Sequence, residues 1–344
     1  MRKTFFGFLF GLFFAIGLTF LAGENPWNVF LILAHSAFGS RYDFGQTLFY
    51  ATPLIFCGLS VAWAFRVGLF NIGAEGQLTL GCLAAAWFGG VPTEWHRGSA
   101  LAVGMICPLL AGGAWGFVAG WMKARRQAHE VIVTMMLNFV AAVLASYVVL
   151  NLIPNPATQN PESIPLPPQF LFKHQDPIAQ LFPESSVSFA LVLAILLAVG
   201  SWFVFHKSQL GYRIKMVGMN ATAAARAGIS VEKTQMIAMT IAGALAGAVA
   251  WAEVLGSSGQ FRLGFSPDYG FLGIAVALMA QNNPLGILLS GLLLGALHKG
   301  AGDLDMETAH ITRDFSKVLQ AFIILFVASS GLWSLLRRKF KRHD

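Results

Sequence analysis

Apolar residues run along this chain in blocks close to 20 long, separated by short polar or basic clusters, and about 20 apolar residues is what a helix needs to cross a bilayer. Seven blocks are clear: 5–22, 48–65, 100–122, 131–153, 187–205, 236–255 and 318–336. A further block, 67–90, is interrupted by Asn71, Glu75 and Gln77, and two short blocks, 269–280 and 285–297, flank Gln281-Asn282-Asn283-Pro284. The short pair reads either as two tilted spans joined by a tight turn or as a re-entrant hairpin covered by protein or water. The pattern predicts an all-α, polytopic helical bundle of about ten transmembrane helices. No polar stretch is long enough to fold apart from it, so residues 1–344 read as a single transmembrane domain.

Composition supports this reading. Of the 344 residues 56% are hydrophobic and 11% charged, with a mean hydropathy of +0.64, against about a quarter charged in soluble domains. The net charge of +7 does not imply nucleic acid, because the basic residues sit in short clusters between apolar blocks rather than on one face. With ten crossings and a cytoplasmic N-terminus, sixteen of the 23 basic residues fall in inside segments. The remainder (Arg41, Arg97, Lys173, Arg262, Lys299, Arg313 and Lys317) lie outside, beside acids. That bias obeys the positive-inside rule and predicts both termini in the cytoplasm, in a multi-pass protein of the cytoplasmic (inner) membrane. The first block lacks an A-x-A cleavage site, ending in Phe20-Leu21-Ala22, and reads as an uncleaved first helix.

Two loops stand out. The external loop 154–186 is rich in proline, and loops of that length are functional or disordered; the functional reading is contact with whatever delivers a solute. The cytoplasmic loop 207–233 reads as a small helical knob: Asn220 can N-cap an alanine-rich turn, and Gly228 is placed to end it. Topology alone requires only lysines and arginines, so a capped helix there points to docking.

Chemistry inside the apolar blocks concentrates at Asn71, Glu75 and Gln77. A carboxylate in lipid must face the bundle interior, a watery cavity or a hydrogen-bonding partner. Glu75 reads equally as a path-lining group or as a satisfied core acid bonded to Asn71, Gln77 or a backbone amide. On a regular helix Asn71 and Glu75 share a face and Gln77 lies on another. The glycines around them let the helix break and expose backbone. Small residues four apart (Gly112, Gly116, Gly120; Gly243, Gly247; Gly291, Gly295) permit close helix packing within the bundle.

Cys57, Cys82 and Cys107 lie in apolar blocks without metal-ligand spacing, so neither a zinc site nor a disulfide framework is expected. No phosphate loop, nucleophile elbow or His-Glu-x-x-His pair occurs, so neither a catalytic site nor a cofactor is expected in this chain. His35, His206 and His298 read as interfacial residues near segment ends.

Three stretches carry a resemblance: Arg66-Val67-Gly68-Leu69-Phe70-Asn71-Ile72-Gly73-Ala74-Glu75-Gly76-Gln77, then Glu130-Val131-Ile132-Val133-Thr134-Met135-Met136-Leu137-Asn138, then Val217-Gly218-Met219-Asn220 through Ala227-Gly228-Ile229. In order and context they resemble the branched-chain-type permease family of ABC importers, most closely the branch for nucleosides, with simple sugars next. The resemblance implies partners: an ATP-binding cassette ATPase that binds the ATP, a second homologous permease forming a heterodimer, and an external solute-binding protein. It implies that the loop 211–229 is the coupling helix seated on the ATPase, with Gly211, Arg213, Lys215, Gly218, Asn220, Ala223, Ala224, Ala227 and Gly228 as its residues. It also implies that Asn71, Glu75 and Gln77 lie at the translocation path or its gate. The competing reading is a secondary transporter in which Glu75 binds a proton or sodium ion.

Overall fold

In the computed structural model, residues 2–91, 95–172, 176–308 and 311, with 317–318, 321–322 and 325–326, are described. Six helices among them are long and apolar enough to cross a membrane, and two shorter apolar helices accompany them. This establishes a multi-pass helical membrane protein. The predicted block 318–336 lies for the most part outside the described residues.

In chain order, α1 (Arg2–Leu18) and α2 (Pro26–Phe38) precede the central helix α3 (Arg41–Arg66), which returns through a non-helical stretch to α4 (Ala74–Ala86). The long helices α5 (Arg97–Arg126) and α6 (Glu130–Asn151) follow, then α7 (Pro177–Leu181) in the proline-rich loop and α8 (Ala190–Lys207). The knob is α9 (Gln209–Met219) and α10 (Ala221–Arg226). Next come α11 (Val231–Gly247), α12 (Val249–Glu253) and a π-turn (Val254–Ser258), then α13 (Tyr269–Met279) and α14 (Pro284–Glu307). Arg66, Lys123, Arg125, Arg126 and the knob define a basic end of the bundle; the proline-rich loop lies at the other.

Helix α3 is enclosed from Ala51 to Ala64, because α11, α13 and α14 all pack on it. Glycines make these approaches possible. A Cβ on Gly116 would lie 3.0 Å from Gly243 Cα, and one on Gly112 would lie 2.9 Å from Gly247 Cα, which brings α5 and α11 into backbone contact. A Cβ on Gly295 would meet Ala51 N at 2.7 Å. The small-residue stripes are thus internal packing surfaces, as expected. Helices α6 and α8 expose most of their length, including Phe139, Val143 and Tyr147 on α6 and Leu196 and Phe203 on α8.

Four expectations change. Helix α2 falls within residues read as a loop; its 13 residues are too few to register as a span. Block 67–90 is not one interrupted helix, since helix begins only at Ala74. The two short blocks are unequal helices: α13 has 11 residues, and α14, with 24, runs well beyond 297. Because α14 continues to Glu307, Lys299 lies within the helix, paired with Asp303 one turn on and with Asp43 at 3.5 Å. His298 likewise lies inside α14, not at a segment end, and its Nδ1 is buried. His35 and His206 do occupy the last turns of α2 and α8.

The proline-rich loop is anchored. Phe170 is fully buried and stacks on Phe88 at 5.8 Å, with Trp95 edge-on at 5.5 Å. Isolated bridges join Pro154 to Ser163 and Glu162 to Arg262, and Leu166 N–H donates to Gly259 O at 2.7 Å.

Candidate functional site

At the basic end, α3 stops at Arg66, and Gly68 adopts φ +82°, a left-handed conformation that turns the chain back into the bundle. Residues 67–73 then run without helical bonding, which in an apolar interior is tolerable only if their polar groups find partners. Side-chain amides supply them. Asn71 Nδ2 donates to Gln77 Oε1 at 2.9 Å, and Gln77 Nε2 donates back to Asn71 Oδ1 at 3.2 Å. Asn71 Oδ1 also accepts from Gly73 N–H at 3.1 Å, and Ser60 Oγ lies 3.3 Å from Asn71 Nδ2.

From α6, Asn138 clamps both sides of the break: its Nδ2 donates to Ile72 O at 3.0 Å and its Oδ1 accepts from Gly76 N–H at 2.8 Å. The amide of Asn138 thereby caps one of the orphan first-turn N–H groups of α4. A Cβ on Gly76 would lie 3.0 Å from Asn138 Cα, so a side chain there would push the clamp away. Thr134, from the same stretch of α6, packs its Cβ 3.0 Å from where a Cβ on Gly73 would be.

The broken helix changes the relation among the three polar residues. Asn71 and Gln77 are buried and bonded to each other, although a regular helix would set them on different faces, because the turn at 67–73 brings them round. Glu75 shares no face with Asn71. Its Oε2 accepts from Gly270 N–H at 2.7 Å, and Ser266 hydrogen-bonds to it as well. Of the partners foreseen for a satisfied core acid, the backbone amide is the one it has. Glu75 lies in the first turn of α4 and touches the first turn of α13, so two helix N-termini, each with a positive dipole end, face one carboxylate. The approach requires a glycine, because a Cβ on Gly270 would collide with the Glu75 backbone nitrogen.

The knob is built as two helices hinged at Asn220, whose Oδ1 accepts from Ala223 N–H at 3.0 Å. Gly228 ends α10 at φ +79°. Both caps are where the sequence placed them. Gly211 is buried against α8, 2.7 Å from Phe205 Cα at its Cβ position. Arg213, Lys215, Ala223 and Ala227 are exposed. Ala224 is not: it is fully buried and packs inward, so its side chain offers no docking surface.

Gly218 links the two regions. A Cβ there would collide with Arg66 O and lie 3.3 Å from Val67 C, so the last turn of α9 rests on the backbone where α3 breaks. Arg66 completes the junction: its guanidinium stands 4.2 Å over the Phe205 ring, and its Nε donates to Asn282 O at 3.0 Å in the α13–α14 turn.

Sequence reading passed over a second set of interior polar groups. Glu253 ends α12 where the helix widens into the π-turn, and the Tyr269 phenol engages its carboxylate. Tyr50 meets His298 edge-on, ring centroids 4.8 Å apart. Among the described residues no group of three or more His, Cys, Asp or Glu is arranged to hold a metal.

An enclosed central helix, a broken span held by amides and a capped knob seated on the break are parts of one helical membrane bundle. The chain belongs to the family described as the branched-chain amino acid transport system / permease component, which it matches over residues 44–328. It is 37% identical over 329 residues to the guanosine ABC transporter permease protein NupP of Bacillus subtilis, covering 94% of this chain and 91% of that one. It is 33% identical to the nucleoside ABC transporter permease protein NupB of Lactococcus lactis, covering 98% and 92%. With the glucose ABC transporter permease protein TsgB13 of Haloferax volcanii the identity is 31%, covering 94% and 86%. No solved structure matches the chain significantly. The chain serves as an ABC transporter permease, and ion-coupled transport at Glu75 is not favoured.

Proposed function

We propose that this chain is the membrane-spanning subunit of an ATP-driven importer in the cytoplasmic (inner) membrane, carrying a nucleoside, with a simple sugar as the second candidate. The solute reading is supported by the names of the relatives, two of which are permeases for guanosine or nucleosides and one for glucose. The basic end faces the cytoplasm with both termini, about ten crossings complete the single domain, and the loop 154–186 receives an external binding protein. ATP binds and is hydrolysed on a separate ATPase, this chain needing no cofactor, and a second homologous permease completes a heterodimer.

The observation that carries the mechanism is the seating of Gly218 on the Arg66–Val67 backbone. The motor engages the exposed face of the knob, made by Arg213, Lys215, Asn220, Ala223 and Ala227. Its closure moves α9, which is in backbone contact with the break, and Arg66 passes the movement to the α13–α14 turn. Glu75, held between α4 and α13, lies at the gate of the path, and the Asn71–Gln77 clasp keeps the broken segment in register while the helices tilt.

Vesicles holding the permease pair, its ATPase and its binding protein test the proposal: nucleoside uptake is expected only with ATP, and equal uptake without ATP would overturn it. Ala227→Asp is expected to abolish co-purification of the ATPase while leaving the permease inserted, and normal co-purification would remove the knob as the docking surface. Ala224→Asp is the wrong probe, because a buried carboxylate there disrupts the knob itself.

A further inference from the structure

We infer that Glu253, Tyr269, Tyr50 and His298 form a solute-recognition subsite inside the bundle that binds the hydroxylated ring shared by nucleosides and simple sugars. The inference rests on the transport reading above and adds the place and chemistry of recognition.

Glu253 lies in the 28-residue apolar stretch Val231–Ser258, where a carboxylate is costly unless it has a purpose. Its helix does not end normally. The π-turn Val254–Ser258 begins at the next residue, and Ser258 Oγ fixes that turn by donating to Glu253 O at 2.7 Å. Single π-turns of this kind recur at functional sites because the widened turn re-aims side chains.

The decisive feature is what these groups lack. Tyr269 engages the Glu253 carboxylate, yet Oε1 is buried without a hydrogen-bond partner among the described residues. His298 Nδ1 is in the same condition. Buried polar atoms of a native bundle are nearly all paired. Tyr50 connects the two: its ring edge packs on His298, and its hydroxyl lies within electrostatic reach of Glu253.

Tyr50, Glu253 and His298 each keep part of their surface exposed, whereas the two unpaired atoms are themselves sealed, so a solute reaches them as the helices tilt. An acceptor oxygen beside aromatic rings suits a sugar ring, whose hydroxyls donate to the carboxylate while its C–H face lies on the rings. Tyr269 also begins α13, whose second residue holds Glu75, so occupation of the subsite is one residue away from the gate.

The test is a ratio. Vesicles with the complete transporter are assayed for uptake of a nucleoside and of its 2′,3′-dideoxy analogue, the binding protein being the same throughout, so that a change in the ratio arises in the permease. Glu253→Leu is expected to lower the preference for the hydroxylated solute roughly ten-fold, the usual scale of a hydrogen bond to a charged group. Glu253→Gln, which still offers an acceptor oxygen, is expected to retain part of it. Uptake of both solutes falling in proportion, or not falling, would overturn the subsite. If Glu253→Leu fails to insert, the same ratio for His298→Leu decides. If the wild type imports no nucleoside but a sugar, the nucleoside reading fails, and the ratio between that sugar and its deoxy form decides the subsite separately.

Discussion

Glu75 and Glu253 both interrupt the apolar interior, and they are treated in opposite ways. Glu75 has every convenience: a backbone N–H at 2.7 Å, a serine, and two helix N-termini. Glu253 has a tyrosine on one side and an unpaired oxygen on the other. A satisfied buried acid fixes geometry, whereas an oxygen with no protein partner costs stability that a ligand or a water returns. On the subsite proposal, the contrast separates a part of the bundle that holds its shape from a part that receives the solute.

The comparison can be broken most severely at Gly270. Gly270→Val is expected to drive α13 away from Glu75, costing about 3 kcal/mol or more by overpacking, read as a fall in thermal unfolding temperature of the purified permease; unchanged stability would show that the two helix ends are not in contact. Next is Asn138→Ala, which leaves Ile72 O and Gly76 N–H without partners at about 1–3 kcal/mol each, checked by the same melt.

The sharpest pair is Glu75→Leu against Glu253→Leu. The first is expected to destabilise by about 1–3 kcal/mol, since Gly270 N–H loses its acceptor, whereas the second, in which loss of the Tyr269 partner is offset by removal of a half-paired carboxylate, is expected to move the melt less and to lose solute preference. Equal melts for the two would erase the distinction. As a baseline, the exposed pair Arg125–Glu232, 3.6 Å apart, is expected to contribute about 0–1 kcal/mol, so Glu232→Gln should barely move the midpoint.

Much of this was legible in the sequence. Long helices such as α5 and α6 follow from apolar length, and the Asn220 and Gly228 caps from local chemistry, because both depend on residues close in the chain. What stayed hidden depends on distant ones. The break at 67–73 is stabilised by Asn138, 62 residues from Gly76, so no local periodicity could show that Asn71 and Gln77 meet. Glu253 lies in a stretch whose average is apolar, and its neighbours appear only when Tyr269 and Tyr50 arrive from two other helices. Helix α2 was too short to register as a span.

The anchoring of α13 has a mechanical consequence. Ahead of it, residues 259–263 are stitched by backbone bonds to the proline-rich loop, with Leu263 N–H donating to Pro161 O and Ser163 N–H to Phe261 O; behind it, Arg66 grips the carbonyl of Asn282. Eleven residues of helix make a strut about 16 Å long, tethered to both faces of the bundle with a carboxylate at its tip. A load on either face therefore reaches the same strut, so in the proposed importer events at the two surfaces are two pulls on a single short rod.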